Sequence, residues 1–274
     1  MDSLMPNAPE LVHFIERSNE LEKLFGPNHK KYARFIVAAL GSFGWIGGVL
    51  GASANLQAER EQGRENILIK KWLEEHQQKI DELAATFTSM AQKLDQFGEQ
   101  IEERLQDESY LSLVRQGFRV WNEANTQSKK DYVRRTLTNA AVTKICPDDI
   151  IRNFINWIEQ YDEIHFKIMR VLFNNKGATR ALIWDEIGGE DVREDSPQAD
   201  LFKLCIHDLS TGHVLRQIRD KNAIGQFLKR RRSGRMSRQT TLESAFEDTK
   251  PYELTALGEQ FATYVLNETL PQIK

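Results

Sequence analysis

Between Lys203 and Arg238 the chain gathers ten basic residues, Lys203, Arg216, Arg219, Lys221, Lys229, Arg230, Arg231, Arg232, Arg235 and Arg238, against two acids, Asp208 and Asp220. The local formal charge is +8, in a 274-residue chain whose net charge is −3. Guanidinium and ammonium groups at this density are what phosphates seek, and each contact adds salt-dependent affinity by releasing counterions. The run LKRRRSGRMSR also carries the Gly and Ser of a pliant loop. Arg216, Arg219, Lys229, Arg230, Arg231, Arg232, Arg235 and Arg238 are therefore the candidate contacts for an oligonucleotide or a nucleotide-derived ligand. The competing reading is a charged, solvated loop on a protein-interaction module.

Other chemistry is thinly represented. The sequence has no phosphate-cradling GxxxxGK(S/T), no HExxH and no nucleophile elbow, so we expect a protein that is not an enzyme and needs no cofactor. His207 and His213 lie six apart with Cys205 two residues before the first, and a metal site can be drawn from them. No second cluster supplies the remaining ligands, so no metal is expected. The two cysteines, Cys146 and Cys205, form no CxxC and suit a reducing compartment. A second basic group, Lys129, Lys130, Arg134 and Arg135, reads as a solvated helix face.

The elements that must position these residues are mostly helical. Residues 9–25 place Leu11, Phe14, Ser18, Leu21 and Phe25 at helical spacing, with Pro9 at the start and Gly26-Pro27 as the stop. Residues 69–101 alternate apolar and seam positions four and three apart, from Ile69 through Leu73, His76, Ile80, Leu83, Phe87, Met90 and Leu94 to Phe97 and Ile101. That heptad pattern predicts a long coiled-coil helix, or a bundle helix that packs back on its own chain; His76 on the seam reads as a packing residue. Shorter helices follow in YLSLVRQGFRVW, SKKDYVRRTLTNAAVTKI and PDDIIRNFINWIEQY. The last hundred residues read helix, helix, helix, polar stretch, helix, the third helix breaking near Gly212.

The N-terminal third holds the strongest hydropathy signal. Phe35–Ala58 is 24 residues without a charge in a chain that is 28% charged. Its length matches the roughly 20 helical residues that cross a bilayer, and a transmembrane segment is predicted, with a buried glycine-rich hairpin in a soluble core as the competing reading. Gly44, Gly48 and Ala52 fall four apart, as do Gly47 and Gly51, and such rows let helices approach closely in lipid, so a homo-oligomer is expected. Four Lys or Arg flank each side within 15 residues, which leaves the orientation open. The acidic N-terminus does not resemble a signal peptide, so no cleaved leader is expected. An inner-membrane location with the bulk of the chain cytoplasmic follows from this reading.

The tail YELTALGEQFATYV resembles the closing strand and helix of winged-helix domains, where a Thr-x-x-Gly turn, here Thr255 and Gly258, leads into a helix. The fold class expected is mainly α, divided into an amphipathic N-terminal helix (1–34), the glycine-rich transmembrane segment (35–58), a coiled-coil helix (59–107), a helical domain (108–160) and a winged-helix, α+β domain (161–274). This arrangement resembles the membrane effectors of bacterial antiphage (abortive-infection) systems, the membrane component of the Hailong system among them. The resemblance implies an oligomeric channel former in the lipid bilayer, controlled by a nucleotide oligomer that a companion nucleotidyltransferase makes. The alternative is a winged-helix transcription regulator dimerised by its coiled coil. Against it, the third helix begins QADLFKL, poor in the base-reaching side chains a duplex reader needs near that end.

Overall fold

The computed structural model describes residues 31–43, 77–98, 100–218 and 244–268, and it is mainly helical. The chain divides into two compact units, one formed by residues 1–160 with 267–274 and the other by Tyr161–Leu266.

In the first unit, helix α1 (Ala33–Leu40) is followed by α2 (Gln77–Leu94), a 3-10 turn over Asp95–Phe97, α3 (Gln100–Gln106), α4 (Glu108–Glu123), α5 (Gln127–Val142) and α6 (Asp148–Gln160). Side chains settle the helix starts: the Asp107 carboxylate accepts from the Ser109 amide at 3.0 Å, and the Thr126 hydroxyl accepts from the Lys129 amide at 3.2 Å. From Leu83 to Ile101 the heptad seam turns inward, with Phe97 half-buried, while Ile69, Leu73 and His76 lie outside the described residues. Leu83, Phe87, Met90, Leu94 and Ile101 are all buried within this unit, so the surface the sequence offers to a second copy is occupied by the chain's own helices. The helix also breaks at Gly98, whose φ of 70° lies in the left-handed region that glycine adopts without a Cβ clash.

The predicted transmembrane segment and the inner-membrane location are corrected here. Among the described residues no helix is long and apolar enough to cross a membrane. Helix α1 takes up the beginning of the uncharged run, but it stops after eight residues at Gly41. Phe35, Ile36, Ala38, Ala39 and Phe43 are buried in a protein core. The Phe35 ring packs on Phe87 at 5.3 Å, Phe118 at 6.0 Å and Tyr110 at 6.2 Å, while Phe43 meets Trp121 at 6.3 Å. Aromatic side chains removed from water by other aromatic rings have satisfied the same drive that lipid would satisfy. Gly44, Gly47, Gly48, Gly51 and Ala52, like the amphipathic stretch 9–25, lie outside the described residues.

The second unit runs α7 (Glu163–Asn174), α8 (Arg180–Glu186), α9 (Pro197–Thr211), β1 (Leu215–Gln217), β2 (Tyr252–Leu254) and α10 (Ala256–Leu266). Helix α9 starts where the Ser196 hydroxyl accepts from the Ala199 amide at 3.1 Å with Pro197 at its first position, and it ends at Gly212. The strands pair antiparallel with Leu215 opposite Leu254, Arg216 opposite Glu253 and Gln217 opposite Tyr252. The other edge of β2 is also used: the Gly177 amide donates to the Tyr252 carbonyl and the Tyr252 amide to the Ala178 carbonyl, both at 2.9 Å. The turn at residues 177 and 178, between α7 and α8, thus bonds the outer edge of the two-stranded sheet. Phe166, Phe202, Ile206, Leu209, Val214, Leu254, Phe261 and Tyr264 fill the core.

The Thr255 and Gly258 turn has a physical explanation. The Thr255 hydroxyl donates to the His213 carbonyl at 2.6 Å and accepts from the Gly258 amide at 2.9 Å, while the Thr255 amide donates to the Val214 carbonyl at 3.0 Å. A Cβ on Gly258 would stand 1.9 Å from that same Val214 oxygen, so only glycine lets α10 begin so close to β1.

Candidate nucleic-acid interface

Of the eight candidate phosphate contacts, Arg216 is described, and Arg219, Lys229, Arg230, Arg231, Arg232, Arg235 and Arg238 lie outside the described residues. What the structure does fix are the two ends of the stretch that holds them. On one side the Ile218 amide, just past β1, donates to the Pro251 carbonyl at 2.8 Å. On the other, Ser244 returns at α8, its carbonyl accepting from Arg180 at 3.0 Å and its hydroxyl donating to Glu194 at 3.0 Å. The buried Ala245 follows, its amide donating to Glu194, and Phe246 packs on Trp184 at 5.3 Å. The basic stretch is therefore the connection between two paired strands.

Arg216 projects from β1 with its side chain 57% exposed, held by Nε and a terminal nitrogen on Glu253 at 2.9 and 2.8 Å. Lys176 reaches the other Glu253 oxygen at 3.4 Å. Burial raises the affinity of the Glu253 carboxyl for a proton, but the hydrogen bond and charge of Arg216, with the charge of Lys176, outweigh it and hold the group below its ordinary range. Glu253 thereby orients two cations at the root of the connection, Arg216 with two nitrogens on one carboxylate oxygen and Lys176 on the other.

Helix α9 presents a different surface. Leu201 and Leu204 are 50% and 53% exposed, one turn apart, and Lys203 is paired with Asp200 at 3.0 Å. Leu182 on α8 is exposed as well. A face of leucines offers no hydrogen bonds to base edges.

The residues of the sketched metal site do not converge. Cys205 is buried and its thiol is pushed up to about 11 by burial first and then by the charges of Asp208 and Asp162, whereas His207 and His213 are exposed. Among the described residues no group of three or more His, Cys, Asp or Glu could hold a metal ion.

Two constellations escaped sequence reasoning. His165 is buried at 6% exposure, stacks on Tyr161 at 5.0 Å, accepts at Nδ1 from the Asp162 amide at 3.1 Å and faces Asp208 at 3.7 Å. Its signal was the three-residue spacing from Asp162, which marks a helix start. The second corrects the reading of Arg134 and Arg135 as a solvated face. Their side chains are only 11% and 19% exposed, and in the first unit both are bound to Glu268 near the C-terminus.

No family model matches the chain, and no curated protein or solved structure matches it.

Proposed function

We propose that this is a binding protein, not an enzyme, whose second unit is a winged-helix module that takes an oligonucleotide or nucleotide-oligomer ligand through phosphate contacts from Arg216 and the basic connection behind it. The observation that carries this reading is topological. The order α7, α8, α9, β1, β2 sets Arg219 to Arg238 in the chain between two antiparallel strands, the place of the wing in winged-helix domains. The antiphage resemblance contributes the class of ligand, a nucleotide oligomer; the bilayer has no part in the proposal.

Sequence-specific duplex reading is the weaker alternative, because the exposed turn of α9 carries Leu201 and Leu204 where a recognition helix carries hydrogen-bonding side chains. The phosphate backbone and single strands fit better. The test is fluorescence anisotropy of the full chain with short labelled DNA and RNA strands at two salt concentrations. We expect binding whose salt slope scales as roughly −0.7 per phosphate contacted. Changing Arg230, Arg231, Arg232 and Arg235 together to Glu should abolish it. Equal binding by both proteins, or none by the unmodified chain, would remove the proposal.

A further inference from the structure

The other basic group is already holding an anion. In the first unit, Lys93 from the last turn of α2 and Arg134 and Arg135 from α5 converge on the single carboxylate of Glu268. Arg134 reaches both carboxylate oxygens, at 3.3 and 3.2 Å, Arg135 reaches one at 2.6 Å, and Lys93 bonds the other. The Asn139 amide nitrogen fixes the preceding residue by donating to the Asn267 carbonyl at 3.2 Å. Arg134 is itself steadied by Ser89 at 3.3 Å and Asp131 at 3.5 Å.

The exposures are unequal. The three cationic side chains are 21%, 11% and 19% exposed, whereas Glu268 is 52% exposed. The cradle belongs to packed helices, and its occupant is the outermost member, so the carboxylate is the part that can be exchanged. Burial alone would raise the Glu268 carboxyl, yet the hydrogen bond from Lys93 and the charges of Arg134 and Arg135 bring it down to about 2, and the anion is present throughout the physiological range.

We propose that Lys93, Arg134 and Arg135 form a binding site for a phosphate monoester or inorganic phosphate, and that Glu268 is its built-in competitor. A phosphate dianion fits this cradle better than a carboxylate does. It brings two negative charges to three cations, and its tetrahedral oxygens supply separate acceptors for the donors of two arginines and a lysine. Occupancy releases Glu268 from the three cations. Because an internal competitor lowers apparent affinity by the fraction of time the site is open, the unmodified chain binds weakly.

Calorimetry of the full chain with inorganic phosphate tests this. Glu268→Gln should bind phosphate about tenfold or more tightly than the unmodified chain, since the competitor is gone while the cradle stays. Adding Arg134→Gln to that variant should remove the gain. Phosphate should also shift the side-chain carboxyl signal of Glu268 in carbon-13 NMR of the unmodified chain, a readout that needs no variant. If Glu268→Gln binds no better, if the double variant binds as well as Glu268→Gln, or if phosphate leaves the Glu268 carboxyl signal unmoved, the proposal is wrong. The site is independent of the winged-helix reading: changing Arg230, Arg231, Arg232 and Arg235 to Glu should leave the effect of Glu268→Gln intact.

Discussion

His165 is held neutral by its surroundings. Burial lowers its proton affinity below the ordinary 6.5, and the charges of Asp208 and Asp162 with the Asp162 backbone hydrogen bond restore only part of the loss. The unfolded chain therefore takes up a proton near 6.5 that the folded chain resists, so the stability tied to this residue is complete above that pH and declines as the pH falls below it. Glu268 has its own window. Its folded-state value of about 2 against an ordinary 4.5 means its contribution is lost only as the pH falls from 4.5 toward 2. Thermal unfolding of the second unit should move to lower temperature between about pH 7.5 and 5.5. His165→Asn, whose amide oxygen can accept the same Asp162 hydrogen bond, should flatten that dependence. An unaltered slope in the variant would show that another group titrates there.

At the scale of elements, α1 decides between two accounts of the same apolar residues. A fully buried Phe35 touching Phe87, Phe118 and Tyr110 is a core residue of the first unit. Phe35→Ala should cost about 3–5 kcal/mol by the loss of transfer free energy and the cavity left behind. Urea unfolding followed by tryptophan fluorescence reads it directly, because Trp121 is part of the same aromatic cluster, 6.1 Å from Phe118. A midpoint unchanged by the substitution would contradict the packing. Contacts from α3 to α6 and from α4 to α5 make the same point from the polar side. Arg104 lies over the Tyr110 ring at 4.9 Å and bonds Asp148 at 3.1 Å, and the buried Tyr110 hydroxyl donates to the Leu137 carbonyl at 3.0 Å. The two hydrogen bonds join residues 44 and 27 positions apart, which no local periodicity reveals.

For the whole molecule, the division into two units has a consequence for folding. Tyr161–Leu266 encloses its own core of helices and paired strands, with Phe166 6.2 Å from Phe261 and Trp184 5.1 Å from Phe202. A fragment of residues 161–266 should therefore express and unfold cooperatively by itself, observed as a single sigmoidal transition in far-ultraviolet circular dichroism. A featureless, gradual melt would show that its core depends on the remainder of the chain.

The mainly helical character was legible in the sequence because helix spacing, caps and stops are local properties: Thr126, Ser196 and Gly212 act within a turn of where they stand. The Thr255 and Gly258 turn was legible for the same reason, although only the folded chain shows that Val214 is what demands the glycine. Partner choice was not legible. The uncharged run beginning at Phe35 and the heptad seam at Leu83, Phe87, Met90 and Leu94 state that these faces must leave water, which hydropathy measures. They do not state whether lipid, a second copy or the chain's own aromatic residues will cover them. Charge has the same limit: Arg134 and Arg135 announce an anion, but Glu268 stands more than a hundred residues downstream, and only the tertiary structure brings that carboxylate to them, 3.2 and 2.6 Å away.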